Sequence, residues 1–175
     1  MRLIPRPRPG EYPPYAGMYL DLLPDDGRLL RHLQGGLRAA VALVSGLPEA
    51  TLLHRYAPGK WTIKETLVHV VDDERIYACR AMCFARGEAT PLPGFEQDDY
   101  AAASAANARG LKSILAEYAA VREATITLFE GLDEAALTRT GVANGNRASV
   151  RALGWHIAGH ELHHLNLIRD RYLAG

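Results

Sequence analysis

Apolar residues recur every three or four positions in four stretches of the chain, which is the spacing of amphipathic helices. These stretches predict helices over residues 28–44, 62–86, 111–131 and 149–173. Thr62 and Glu65 fit a capping box at the start of the second helix, and Ser149 is the expected cap of the fourth. Gly35 and Gly36 weaken the first helix by about 1 kcal/mol each relative to Ala. The pattern therefore predicts four main helices.

The predicted fold class is all-α, because no stretch shows the alternation and β-branched enrichment of a strand. The simplest packing is an up-and-down four-helix bundle with at least one connection long enough to cross over an end. Residues 133–147 contain an Asn-Gly-Asn turn former and are predicted to be a loop. Residues 1–26 hold six of the ten prolines and are predicted to form an extended arm. We expect a single domain over residues 1–175.

Composition supports a packed, soluble domain and limits its partners. Of the 175 residues 48% are hydrophobic, and 20 acidic residues balance 20 basic ones, so no net charge attracts nucleic acid. The N-terminal segment lacks the apolar core of a signal peptide and no run is long enough to span a membrane, so we expect a cytoplasmic protein without a membrane partner. The two cysteines, Cys79 and Cys83, are expected to be small core residues. A metal site must then use histidines and carboxylates.

Histidines are concentrated in the fourth helix, which holds four of the chain's seven within residues 155–165. With about 100° between successive residues, His156, His160, His163 and His164 share one face. His160 and His164 lie inside the apolar arc that must face the bundle core. An unsatisfied buried polar group costs about 1 to 3 kcal/mol, and the fourth helix offers no obvious core carboxylate. These two imidazoles therefore need partners from elsewhere.

A third histidine on the second helix can complete a metal site. His69 lies on the shoulder of the apolar face, from which it can point towards a neighbouring helix. With His160 and His164, spaced i and i+4, it provides three neutral imidazoles on one side of a divalent ion, which leaves positions for water and substrate. Such an open site is typical of catalysis. The alternative is that these are core histidines satisfied by hydrogen bonds.

The positions of His160, Glu161 and His164 also match the HExxH pattern of zinc proteases. The motif alone does not exclude a protease. Its context argues against one, because the predicted fold offers no β-sheet to hold an extended peptide and no second domain to form a cleft.

Longer segments of the chain carry a family resemblance. They are YAPGKWTIKETLVHVVDDERIYACRAMCFARG, LPGFEQDDY, LAEYAAVREATITLF and SVRALGWHIAGHELHHLNLIRDRYL, in this order. Together they resemble the DinB-like superfamily of metal-dependent enzymes, which is unrelated to the DNA polymerase of similar name, over about residues 12–173. The resemblance implies a four-helix bundle in which one histidine of the second helix and two of the fourth bind a metal ion. By motif these are His69, after KWTIKE, and His160 and His164 of GHELHH.

The resemblance also implies a cofactor, a kind of substrate and an assembly. Nickel or zinc is the expected metal, with manganese as an alternative. Relatives include transferases and isomerases that use low-molecular-weight thiols, so a small-molecule substrate, such as a thiol of this kind, is expected. Members are often homodimers, and a homodimer is expected here.

Four more residues are candidates to support the ligands. Asp72 and Asp73 lie three and four positions after His69, where they can orient its free ring nitrogen or contact a metal-bound water. Glu161 and His163 adjoin the ligands of the fourth helix. The alternative for the aspartates is a solvated acidic face. No residue is assigned as the catalytic group itself.

Glu74 projects into the middle of the second helix's apolar arc, where an ionised carboxylate needs an arginine or several donors. Arg122 and Arg151 are the candidate partners. A buried ion pair that fixes the register of the helices is expected, in preference to a catalytic base.

Two functions fit these expectations. In the first, a divalent metal lowers the pKa of a bound water or thiol towards neutrality, which gives a hydrolase or a thiol-dependent transferase or isomerase. In the second, the ion only cross-links two helices of a non-catalytic structural or stress-response protein. An accessible pocket beside the ion favours the first. A role in DNA damage is suggested only by the family name, and the neutral charge argues against it.

Overall fold

The computed structural model describes residues 2–174, and four long helices form its bundle. They are α2 (Leu29–Val44), α4 (Ile63–Ala85), α6 (Leu111–Glu130) and α8 (Val150–Ile168). Four short helices connect or flank them: α1 (Gly17–Leu20), α3 (Glu49–Leu52), α5 (Gln97–Ala103) and α7 (Glu134–Thr138). The predicted four-helix bundle is confirmed. No helix within residues 2–174 has both the length and the apolar character that crossing a membrane requires.

The predicted caps are present at the starts of α4 and α8. The Thr62 hydroxyl accepts from the amide of Glu65, and the Glu65 carboxylate accepts from the amide of Thr62, which is the reciprocal pair of a capping box. Ser149 accepts from the amide of Ala152. After Ile168, α8 continues as a π-helical segment over Arg169–Leu173, so the chain stays helical to the predicted end.

The proline-rich arm packs along the bundle and contains two helical turns that the sequence did not predict. Pro14–Ala16 forms a 3₁₀ turn that leads directly into α1. Proline suits the first position of a helix because its missing N–H needs no partner there. Ile4 is fully buried, and its carbonyl accepts a hydrogen bond from the Trp155 indole at 3.2 Å. Further along, the Glu11 carboxylate binds the Arg151 guanidinium at 2.7 Å.

The prediction of a plain loop over residues 133–147 is wrong. This segment contains α7 and a two-stranded antiparallel hairpin, in which β1 (Thr140–Ala143) pairs with β2 (Asn146–Ser149). The turn residues Asn144 and Gly145 both have positive φ, as Asn-Gly hairpin turns require. The strands were missed because four residues are too few to show an alternating pattern. Helix α5 was missed for a similar reason, since it has only seven residues.

The two cysteines are not core residues, contrary to the sequence-based expectation. Cys79 is exposed, and Cys83 is half-buried and packs only against the margin of an apolar cluster. Neither takes part in a disulfide.

A layer of buried polar residues crosses the middle of the bundle between two apolar clusters. One cluster contains Phe84 of α4, Phe129 of α6 and Leu153 of α8. The other contains residues from the opposite ends of the same helices, among them Leu67, Ile114 and Leu165. The buried polar residues between them, which we call the polar layer, are Asp73, Glu74, Arg122, His156, His160 and Glu161, with His69 beside them. Burying these groups costs free energy unless each has a partner. The residues of the polar layer are therefore the candidates for a functional site.

Gly36 of α2 is required by the polar layer, and we expect Gly36→Ala to destabilise the protein by about 1 to 3 kcal/mol. A β-carbon at Gly36 would overlap the Glu161 carboxylate, which Arg122 and Tyr118 hold in place. Gly35→Ala is the matched control, because a β-carbon there meets nothing within 4 Å. The control should stabilise the helix by up to about 1 kcal/mol. Urea unfolding of both variants measures the difference, and equal stabilities would contradict the prediction.

Candidate metal centre

Helices α4 and α8 bring together the three histidines that the sequence singled out. His69 Nε2 lies 3.1 Å from His160 Nε2, and His164 Nε2 lies 3.1 Å from the same atom. One ring nitrogen from each residue falls within 4.8 Å of the others. The i and i+4 spacing of His160 and His164 places them one turn apart on the same side of α8, and His69 faces them from α4.

Burial keeps these histidines in the form that binds metals. It lowers the pKa of His69, lowers the pKa of His160 to about 3, and lowers the pKa of His164 well below its ordinary value. All three imidazoles are therefore neutral near pH 7, each with one ring nitrogen free to donate a lone pair. Carboxylate or thiolate ligands are not part of this group of three.

The arrangement fits a metal ion better than it fits hydrogen bonding among the histidines. Two nitrogens bound to one ion at about 2.05 Å lie roughly 2.9 to 3.4 Å apart for bond angles between 90° and tetrahedral, and both observed distances are 3.1 Å. His160 Nε2 carries either one proton or one lone pair. It can therefore satisfy only one of its two close neighbours, whereas an ion between the rings accepts a lone pair from all three.

An open cleft reaches this group from one side. It has a volume of about 310 Å³, and His164 is one of its walls. Lys60, Asp98 and His163 add polar groups, and Tyr56, Trp61, Leu167 and Tyr172 add apolar surface. The Trp61 ring lies 4.7 Å from the His69 ring and stacks beside His164 at 6.5 Å. A small molecule entering the cleft would therefore meet His164 beside an aromatic wall.

The opposite side of the histidine group is closed by Asp73 and His156. Asp73 Oδ2 lies 3.3 Å from His160 Nδ1 and 3.4 Å from His156 Nε2. Burial opposes the ionisation of Asp73, but the adjacent His160 and His156 outweigh it and hold the pKa of the carboxyl below its ordinary range. The His156 ring stacks flat on Tyr77, with 3.8 Å between the ring centres.

The four residues predicted to support the metal ligands lie in different surroundings in the structure. Asp73 faces His160 and not His69, whose orientation it was expected to control. Asp72 is half-exposed, lies 3.6 Å from Arg75, and is not grouped with the histidines. Burial raises the pKa of Asp72.

His163 is half-buried beside the cleft, and burial lowers its pKa. Glu161 points away from the histidine group. Its carboxylate accepts from Arg122 at 3.0 Å and from the Tyr118 hydroxyl. The fourth helix therefore does carry a core carboxylate, contrary to expectation, but that carboxylate does not serve the histidines.

The expected buried ion pair of Glu74 is confirmed, with Arg122 as the partner. Arg122 Nε and Nη2 each donate to the Glu74 carboxylate at 2.9 Å. The guanidinium also donates to Glu161 and to the carbonyl of Leu33. One arginine thus satisfies two buried carboxylates. Arg151, the other candidate, binds Glu11.

Comparison with known proteins identifies the family. The sequence profile of the DinB superfamily matches residues 32–168. The chain belongs to the DinB superfamily. Among solved structures, YfiT from Bacillus subtilis, a probable metal-dependent hydrolase with an unusual four-helix bundle topology, superposes with a TM-score of 0.76 at 15% identity. The match covers 83% of this chain and 85% of YfiT.

A second solved structure, the mycothiol-dependent maleylpyruvate isomerase, superposes with a TM-score of 0.66 at 18% identity. The match covers 84% of this DinB-superfamily chain and 61% of the isomerase. At these identities the likeness establishes the fold. No functionally curated protein matches the chain by sequence.

Two residues beside the site of this DinB-superfamily chain were not assigned to it from the sequence. Trp61 forms the wall next to His69. Its position directly before the cap residue Thr62 could have indicated this contact, because a residue there packs back onto the first turn of its helix. His156 was given no role of its own from the sequence, and its i−4 spacing from His160 is the signal that places both against α4.

Proposed function

We propose that this protein is a metal-dependent enzyme that binds a divalent ion through His69, His160 and His164 and acts on a small molecule in the adjacent cleft. The observation that carries the proposal is the convergence of three neutral ring nitrogens beside an open cleft, with His160 Nε2 3.1 Å from each of the other two. The fold similarity to a probable metal-dependent hydrolase and to a mycothiol-dependent isomerase supports it. The reacting nucleophile is proposed to be water or a low-molecular-weight thiol.

The residues of this chain fit such chemistry. A divalent ion held by three imidazoles supplies a Lewis acid that lowers the pKa of a water or thiol coordinated to it. His69, His160 and His164 would hold such an ion, and the cleft beside His164 would give a small molecule access to it. The Trp61 ring, 4.7 Å from the His69 ring, limits the space next to the ligands. His163 and Asp98 bring polar groups into the cleft that can orient a substrate.

The proposal extends to the identity of the metal and to the assembly. Imidazole ligands suit nickel and zinc, whereas manganese favours carboxylate and water oxygens, so nickel or zinc is proposed. A homodimer is proposed from the family resemblance. Neither point is needed for the ligand assignment.

The test measures the metal content of protein purified without a histidine tag and then tests the openness of the site. We expect about one divalent ion per chain. In cobalt-substituted protein, azide or a small thiol should change the visible spectrum, because an ion with three protein ligands keeps positions for other ligands. Assays with hydrolase substrates, and with thiols plus electrophiles, then separate a hydrolase from a transferase. A protein without bound metal would overturn the proposal, and an unresponsive cobalt spectrum would favour a structural ion.

A further inference from the structure

Asp73 and His156 form a buried pair behind the metal ligands, and the sequence left the role of His156 open. Both residues are 4% exposed. Asp73 Oδ2 and both ring nitrogens of His156 lack a hydrogen-bond partner among residues 2–174. Leaving such groups unpaired in a core costs about 1 to 3 kcal/mol each. The ring nitrogens nearest to Asp73 Oδ2 are His156 Nε2, at 3.4 Å, and His160 Nδ1, at 3.3 Å.

We propose that Asp73 and His156 are positioning residues that fix the ring orientation and the tautomer of His160. Asp73 acts directly on His160, and His156 acts through Asp73. The inference rests on the proposed function, because it assigns the residues that prepare one of the three proposed ligands.

The chemistry of the two ring nitrogens of His160 supports this assignment. A neutral imidazole carries its proton on one nitrogen and its lone pair on the other. An ionised carboxylate only accepts hydrogen bonds, so a carboxylate facing Nδ1 favours the tautomer protonated at Nδ1. The lone pair is then on Nε2, which is the nitrogen that lies 3.1 Å from both His69 and His164. Metal-binding histidines commonly donate their second N–H to a carboxylate in this manner.

His156 is placed to hold the Asp73 carboxylate in position. Its ring is fixed by the flat stack on Tyr77, at an interplanar angle of 5°, and by an edge contact with Tyr19 at 5.1 Å. Its Nε2 approaches the same carboxylate oxygen as His160 Nδ1 does. A ring nitrogen packed on each side of one oxygen limits rotation of the carboxylate. Without His156 the Asp73 side chain would lose one of these two contacts and gain space to turn away from His160.

The neighbouring residue provides a contrast within the same helix. Glu74 follows Asp73 on α4 and is equally buried, but its carboxylate is fully engaged by Arg122 on another side of the helix. Likewise Glu161 follows His160 on α8 and also faces Arg122. Residues adjacent in a helix differ by about 100° in direction, so the polar layer is divided into a histidine side and an ion-pair side. Asp73 belongs to the histidine side.

The experiment uses the full chain and two readouts. The first is the tautomer of His160 in metal-free protein, from nitrogen-15 NMR correlations of the imidazole ring. The second is the dissociation constant for zinc, from competition with a chelator. In the wild type we expect the tautomer protonated at Nδ1. Asp73→Leu should change the tautomer population and weaken zinc binding by about 10- to 100-fold.

Two further variants complete the test. Asp73→Asn retains an accepting carbonyl oxygen and should recover part of the zinc affinity. His156→Leu should weaken zinc binding less than Asp73→Leu does, because His156 acts on His160 only through Asp73. Glu74→Gln is the control for a buried carboxylate on α4, and it should lower the stability while leaving the tautomer and the zinc affinity unchanged.

The outcomes separate this inference from the proposed function. Tight zinc binding by the wild type together with an unchanged tautomer and affinity in Asp73→Leu would overturn the positioning role and leave the ligand assignment intact. A wild type that binds no zinc would instead contradict the proposed function. Equal losses of zinc affinity in Asp73→Leu and Glu74→Gln would show a general effect of stability and would also overturn the positioning role.

Discussion

Replacing His160 with alanine is expected to abolish metal binding under ordinary assay conditions. His160 is the central member of the three, because its Nε2 is the atom that lies 3.1 Å from each of the other two. Binding free energies of about 10 to 16 kcal/mol for four-ligand zinc sites correspond to about 3 kcal/mol for each ligand. Losing one ligand should therefore weaken binding by at least about 100-fold.

Thermal unfolding with and without added metal gives an independent measurement of the same effect. A ligand at 100 times its dissociation constant stabilises the folded state by about 2.7 kcal/mol. The wild type should gain this stability when metal is added, and His160→Ala should gain little. His32→Ala is the matched control, because His32 binds Asp26 at 2.9 Å and is not part of the candidate metal centre. A His160→Ala variant that retains wild-type metal content would remove the basis of the proposed site.

The three proposed ligands could be found from the sequence because helical periodicity is a local property. His160 and His164 stand out because they fall inside an apolar arc, where imidazoles need partners. His69 stands out because it lies beside the apolar face of a helix whose start is marked by the Thr62 cap. Both arguments use only the spacing of residues within one helix, and the structure places these three side chains together.

The partners of the supporting residues could not be found in this manner. A helical wheel gives the direction of a side chain around its own axis, but it does not give the rotation of that helix against its neighbours. Asp73 and Asp72 were therefore equivalent candidates, and only the packing of α4 on α8 shows that Asp73 meets His160. For the same reason Glu161 could not be assigned to Arg122, which lies on a third helix, α6.

Replacing Arg122 with methionine is expected to cause the largest loss of stability among the substitutions considered, about 3 to 5 kcal/mol at neutral pH. Arg122 is 1% exposed and is the cation shared by Glu74 and Glu161, which are also 1% exposed. Methionine fills a similar volume, so the cavity term is small. The substitution removes one positive charge and leaves two buried carboxylates without a counter-charge. Urea unfolding at neutral pH measures the loss.

The dependence on pH distinguishes lost charge from lost packing in this variant. Burial already raises the pKa of Glu161 in the wild type, while Arg122 opposes the shift. Without Arg122 the pKa of Glu161 should rise further in the folded state, so the folded variant binds more protons than the unfolded chain does. Its deficit relative to the wild type should then shrink as the pH falls from about 8 to about 5. Arg75→Met, which removes an exposed arginine of α4 paired with Glu117, should cost less than about 1 kcal/mol. An Arg122→Met deficit that stays constant across this range would indicate that packing, and not the uncompensated charge, sets the cost.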